Sequence, residues 1–185
     1  KESQSWSLSL GRWGSVSIRI HYFLLLAVAA IFGAEWNVGA TNVNFFSGTA
    51  MVTALAFLVA IAIHQFAHVF ATRSSGGQVD EIVLMPWGGN CQSDLPRDSF
   101  LPLVTHVAGP FVNGMLFLLG ATILLKTGRA DIVGLTNPFH PHPLNAGAMQ
   151  TSVVTIFTWV NFQLMIVNLG EFIPFPTNNR CWEGI

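Results

Sequence analysis

Hydrophobic residues fall into four long and nearly uncharged stretches, which short polar connections separate. The stretches cover roughly residues 20–34, 50–72, 100–125 and 148–172. About 20 apolar residues are needed to cross the hydrocarbon core of a bilayer as a helix, so each stretch predicts a membrane span, the first of them short. We therefore expect residues 1–185 to form a single polytopic membrane domain.

A different pattern appears before the first span and after the second. Polar and apolar residues alternate in Ser5–Leu10 and again in Ser15–Ile18, with a glycine-containing turn between them. This alternation is typical of strands, and it predicts a small hairpin with Trp6 and Trp13 in the headgroup zone. Val79–Met85 also has the composition of a strand. We expect these segments to form a small β-sheet beside the helices.

The composition agrees with a membrane protein. Hydrophobic residues make up 51% of the chain and charged residues only 9%, whereas a soluble domain carries about 25% charged residues. We therefore expect the protein to lie in a lipid bilayer. Its net charge of −1 gives no reason to expect nucleic acid as a partner. Because the sequence starts without Met and ends without a clear stop, we expect it to be a portion of a longer chain.

Basic residues predict the orientation of the chain, because loops on the cytoplasmic side carry an excess of Lys and Arg. Six basic residues lie before the first span, between the second and third, or after the fourth: Lys1, Arg12, Arg19, Arg73, Arg97 and Arg180. Lys126 and Arg129, after the third span, favour the opposite orientation. We therefore predict a cytoplasmic N-terminus. Together with the four spans and the strand segments, this gives an all-α membrane protein of about four transmembrane helices with a small β-sheet on the cytoplasmic side.

The second predicted span contains His64-Gln65-Phe66-Ala67-His68. Residues four apart lie on one face of a helix, so both imidazoles can bind a single metal ion. In the metalloprotease motif H-E-x-x-H, two His bind Zn²⁺ and the Glu serves as general base. Gln65 takes the place of that Glu, and an amide does not accept a proton near neutral pH. The motif predicts a zinc site, on the cytoplasmic side of the membrane, that lacks its base.

Other interpretations of these histidines stay open. His64 and His68 could be a structural pair in the core of an apolar helix, or one of them could ligate a haem or chlorophyll-type macrocycle. A second pair, His140 and His142, lies in a Pro-rich connection and is better explained as part of a solvated turn than as a metal site. Ionisable groups inside a membrane are generally functional, which favours a metal or cofactor role for His64 and His68.

Polar and small residues inside the later spans are further candidates for substrate-binding or structural roles. Asn161 and Asn168 interrupt the fourth span, and their amides are costly in lipid unless they are paired or face a cavity. Gly109 and Asn113 belong to the third span, in a segment whose small residues and Pro110 allow close helix packing.

Several stretches together resemble the site-2 protease family of intramembrane zinc metalloproteases. They occur in the expected order along nearly the whole chain: Arg19-Ile20-His21, His64–His68 followed by Ala71-Thr72-Arg73, Leu84–Gly89, Ala108–Asn113, Asn168-Leu169 and Pro174-Phe175-Pro176. The resemblance is to compact members of the family, because no inserted domain separates the second and third spans.

The resemblance implies a site that holds zinc through two His and an Asp, and that cuts substrate helices within the membrane. His64 and His68 match the two His, and Asn178 falls at the position of the Asp. Gln65 and Asn178 thus replace the base and the third ligand by neutral amides. The segment Pro174–Arg180 is expected to fold back toward the second span and to bring Asn178 beside the histidines.

We therefore expect a metalloprotease scaffold that is inactive as it stands. Its partners would be a transmembrane protein substrate or, if the chain is a natural pseudoprotease, the other subunits of a membrane complex. Deliberate inactivation explains Gln65 well, a natural pseudoprotease explains both replacements, and an error in the sequence near Asn178 would explain the second.

Overall fold

The computed structural model describes residues 6–38, 48–94, 101–128, 135–136 and 149–170. Within these ranges the chain forms a bundle of long helices and one small sheet. The Pro174–Arg180 segment, with Asn178, and the His140–His142 pair lie outside the described residues.

The predicted sheet is confirmed, and it has four strands in the order β1-β2-β3-β4. The strands are β1 (Ser7–Trp13), β2 (Val16–His21), β3 (Gln78–Met85) and β4 (Gly88–Asp94). β1 pairs antiparallel with β2, β2 parallel with β3, and β3 antiparallel with β4. Strand β4 was not predicted, because its polar and Gly-rich sequence is typical of a loop and only its pairing with β3 makes it a strand.

The first hairpin is tighter than expected. The alternation predicted a turn at residues 11–14, but β1 continues to Trp13, and the chain reverses at Gly14, whose φ is +65°. A shift in register between Ser9 and Gly11 places one extra residue in β1, and Gly11 takes a φ of +127° there. A β-bulge of this kind lets β1 continue past Gly11, although the sequence pattern predicted that the strand would end there.

Four helices are described: α1 (Tyr22–Val38), α2 (Gly48–Ser74), α3 (Leu101–Lys126) and α4 (Met149–Gly170). Among the described residues, α2, α3 and α4 are long and apolar enough to cross a membrane. The apolar part of α1, Tyr22–Gly33, is shorter, about 18 Å at 1.5 Å per residue against a hydrocarbon core of about 30 Å. The structure and the composition thus indicate an integral membrane protein, while a fourth crossing stays a prediction.

The start of the first predicted span was wrong. Ile20 and His21 belong to β2, where Ile20 pairs with Leu8 of β1 and Leu84 of β3. Pairing on both sides satisfies the backbone of this segment as a strand, although its composition also suits a helix. His21 Nδ1 then accepts a hydrogen bond from Phe23 N at 3.2 Å, where α1 begins.

Helix α2 lies at the centre of the described structure, in contact with α1, α3, α4 and the sheet. Its buried residues Ala56, Ala60 and Ile61 pack with Leu24 of α1 and with Val160 of α4. A separate cluster joins the end of α2 to the sheet through Val69, Val16 and Val79: these three are buried together. Small residues on α2 allow the close approach of neighbouring helices, and this fixes the positions of the side chains between them.

Candidate metal centre

His64 and His68 lie one turn apart near the C-terminal end of α2. Their Nε2 atoms are 3.0 Å apart, and their rings meet at an interplanar angle of 71° with the centroids 4.7 Å apart. Two ligands of one tetrahedral zinc, each about 2.0–2.1 Å from the metal, are about 3–4 Å from each other. The separation of the two nitrogens lies in that range, so both histidines can bind one ion.

The opposite ring nitrogens contact helix α3. His68 Nδ1 is 2.6 Å from the carbonyl oxygen of Thr105, and His64 Nδ1 is 3.1 Å from Nδ2 of Asn113. Metal-binding histidines in proteins usually donate their other ring N–H to an acceptor, which holds the ring in place, and the Thr105 carbonyl is such an acceptor for His68. Thr105 was missed by the sequence analysis, because it contributes a backbone carbonyl that no side-chain pattern reveals.

Gly109 of α3 makes room beside the two Nε2 atoms. A Cβ atom at this position would lie less than 3.0 Å from Nε2 of both His64 and His68. Glycine therefore leaves a space that any other side chain would fill, at the point where the two nitrogens converge. Glycine at position 109 thus keeps side-chain atoms of α3 away from the point where both nitrogens converge.

The β3–β4 turn reaches the same place. A Cβ atom on Gly88 would lie 2.9 Å from Nε2 of His64 and 3.1 Å from Oδ1 of Asn168. Asn168 is 7% exposed, and its Nδ2 donates to the Leu164 carbonyl of its own helix at 2.7 Å. The fold thus places Asn168 and Gly88 at the histidine pair; the position of Gly88 was not predicted.

Two other predicted residues are buried with unsatisfied amide atoms. Gln65 is 2% exposed, and neither its Nε2 nor its Oε1 has a hydrogen-bond partner among the described residues. Asn161 is fully buried; its Nδ2 donates to Phe157 of its own helix at 2.8 Å, while its Oδ1 has no partner in the described part of the chain. The role of Gln65 as the residue at the base position and that of Asn161 stay predictions.

A catalytic zinc site normally has three protein ligands, and the described residues offer two candidates, His64 and His68. Within the described ranges, no three His, Cys, Asp or Glu residues come together as a metal-binding group. The predicted third ligand, Asn178, lies outside these ranges. The convergent nitrogens, the Thr105 carbonyl at His68 Nδ1 and the absence of a side chain at Gly109 fit a metal ion at the histidine pair.

These features define a class: a helical membrane protein with a small sheet, whose helices hold a histidine pair beside the end of a β-hairpin. No family model matches the sequence. A zinc metalloprotease from Methanocaldococcus jannaschii is 26% identical over 129 residues, which are 69% of this chain and 34% of that protein. The chain thus spans about a third of the length of this curated relative.

The fold is also similar to that of a solved structure, the site-2 protease from Methanocaldococcus jannaschii. The TM-score is 0.56 at 18% sequence identity, and the match covers 91% of this chain and 65% of that one. The sequence relative and the structural neighbour together support the site-2 protease family for this chain, as its motifs predicted.

Proposed function

We propose that this chain is a site-2-protease-like intramembrane scaffold that binds zinc through His64 and His68 and is impaired in proteolysis as it stands. The observation that carries the proposal is the 3.0 Å separation of the two Nε2 atoms, beside the space at Gly109. A methyl group at position 109 would collide with both rings, so this close approach of α3 to the two nitrogens depends on glycine.

The proposed impairment rests on Gln65. Zinc held by His64 and His68 would supply an activated water and a Lewis acid for the substrate carbonyl. A neighbouring carboxylate would then accept the proton, and Gln65 has an amide in that place. Loss of a general base typically lowers the rate by about 10²–10⁴. The burial of Gln65 without a hydrogen-bond partner in the described structure supports a position adapted to another side chain or to a ligand.

The experiment measures zinc and cleavage in the same preparations. Elemental analysis of the purified protein should give one zinc per chain, which His64→Ala and His68→Ala should each abolish. Gln65→Glu should then raise cleavage of single-span membrane reporter helices by about 10²-fold or more. Because Asn178, at the predicted third-ligand position, also carries an amide, Gln65→Glu should be measured with and without Asn178→Asp. A wild-type level of zinc in both histidine variants would overturn the proposal.

The alternative is a pseudoprotease that binds a membrane partner as a subunit of a larger complex. Replacement of both the base and the third ligand by amides favours it, because a single inactivating change would alter only one of them. Under this alternative, the protein is isolated with stoichiometric partners, and the double variant Gln65→Glu, Asn178→Asp gains no cleavage. An absorption band in the visible range would instead indicate a macrocycle on the histidines.

A further inference from the structure

Three contacts around the histidine pair form a single hydrogen-bond chain with a definite direction. A backbone carbonyl only accepts, so the proton between His68 and Thr105 is on His68 Nδ1. Neutral His68 then has a lone pair on Nε2, and His64 Nε2 must donate across the 3.0 Å contact. His64 Nδ1 is left as an acceptor, which matches the contact with Nδ2 of Asn113 at 3.1 Å.

Metal binding reverses the requirement at His64. An ion held by both Nε2 atoms needs a lone pair on each, so the proton of His64 must be on Nδ1. Nδ1–H then has to donate to an acceptor, and the NH₂ group of Asn113 is not one. The Oδ1 atom of Asn113 is buried and has no hydrogen-bond partner among the described residues. Rotation of the amide by half a turn would bring this oxygen to His64.

We propose that Asn113 is a positioning residue for the metal site, whose amide donates to His64 without metal and accepts from it when metal binds. This inference rests on the proposed function. Asn113 and His64 are 0% and 1% exposed, so bulk water does not reach the amide. An amide serves both states because it carries a donor and an acceptor at its two ends, whereas a carboxylate serves only the metal-bound state and an aliphatic side chain serves neither.

Zinc titration of the full chain in detergent tests the first part of the proposal, that Asn113 accepts from His64 when metal is bound. Asn113→Leu removes both ends of the amide and should weaken zinc binding by about 10–100-fold, the usual effect of losing the partner of a metal-binding histidine. Asn113→Asp keeps an acceptor and should bind zinc at least as tightly as the wild type. Thr158→Val is the control: Thr158 is fully buried on α4 and donates to Val154 of its own helix. Its loss should leave zinc affinity unchanged.

Nitrogen-15 NMR of histidine-labelled protein tests the second part, that Asn113 donates to His64 without metal, because it measures the tautomer of His64. Wild-type protein should carry the proton on Nε2 without metal and on Nδ1 with zinc, while Asn113→Asp should carry it on Nδ1 in both states. A proton on Nδ1 in the metal-free wild type, or equal losses of zinc affinity in Asn113→Asp and Asn113→Leu, would overturn the proposal. A wild type that binds no zinc refutes the proposed function instead, and the metal-free tautomer still decides whether Asn113 donates to His64.

Discussion

At the residue scale, the site combines groups that are expensive to bury. His64, Gln65 and Asn113 are each no more than 2% exposed, and Gln65 has no hydrogen-bond partner in the described structure. A buried polar group without a partner costs about 1–3 kcal/mol. An apolar side chain at position 65 would avoid this cost, so stability alone does not explain an amide beside the two histidines.

Gly109→Ala tests the space beside the histidines. The added methyl group would lie less than 3.0 Å from both Nε2 atoms, so it must displace the rings or take the place of the ion. We expect zinc affinity to fall by about tenfold or more, an effect comparable with the loss of an outer-shell partner. Isothermal titration of the purified protein with zinc measures this.

Gly114→Ala is the matched control on the same helix. Its methyl group would meet Sδ of Met165 at 3.1 Å, and this flexible side chain can move. Zinc affinity should therefore stay at the wild-type value. If Gly109→Ala also keeps that value, the ion does not bind where the two Nε2 atoms converge.

At the element scale, α3 supplies most of the surroundings of the histidines. Thr105, Gly109 and Asn113 recur every four residues, so one face of α3 runs past His68 and His64 in turn. Along α3 the contacts with α2 proceed in reverse order, so the two helices are antiparallel. The geometry of the site thus depends on how closely α3 packs against α2 and α4.

The crossing of α3 and α4 depends on Gly120. A Cβ atom on Gly120 would collide with Oγ1 of Thr158 and would lie 3.0 Å from its Cβ. We expect Gly120→Ala to force the two helices apart and to destabilise the protein by about 1–3 kcal/mol, the usual cost of overpacking. Thermal unfolding in detergent measures the loss.

Two further variants identify the collision as the cause. Thr158→Ala removes the colliding hydroxyl, so the double variant Gly120→Ala, Thr158→Ala should lose less stability than the two single variants together. Gly33→Ala, with open space around the added methyl group, should cost nothing. Strict additivity at Gly120 and Thr158 would show that this contact does not set the helix crossing.

At the scale of the whole molecule, the sheet and the candidate metal centre lie toward the same end of the bundle. Ser74 ends α2 just before β3, and the histidines precede it by six and ten residues, which is roughly 9–15 Å along the helix. The histidine pair therefore lies inside the apolar helix α2 but close to the end of the bundle that carries the sheet. Because α2 and α3 are antiparallel, Lys126 lies at the opposite end of the bundle.

This arrangement makes the proposed orientation testable. In a background with Cys91 and Cys181 changed to Ser, we introduce Trp13→Cys in β1 or Lys126→Cys at the end of α3. Trp13 is 83% exposed, and both positions should accept a membrane-impermeant thiol reagent from one side only. We expect labelling at position 13 from the cytoplasmic side and at position 126 from the other side, in sealed vesicles of known orientation. The reverse pattern would place the N-terminus and the site outside the cytoplasm.

The sequence alone was sufficient for the properties that depend on local periodicity and composition. Uncharged apolar stretches predicted the helices α2, α3 and α4, because a membrane span must satisfy its own backbone hydrogen bonds. The four-residue spacing of His64 and His68 predicted their common face, because 3.6 residues make one helical turn. The motifs and their order along the chain also resemble those of the site-2 protease family.

Only the tertiary structure decided which groups surround those histidines. The Thr105 carbonyl at His68 and the approach of Gly88 to Asn168 and His64 depend on segments far apart in the chain. Strand β4 depends on its pairing with β3, which its own composition does not reveal. Local patterns record which face of an element is apolar, but the partner of that face follows from packing between elements. Only the structure explains the glycine at position 109, because a Cβ atom there would collide with the Nε2 atoms of His64 and His68.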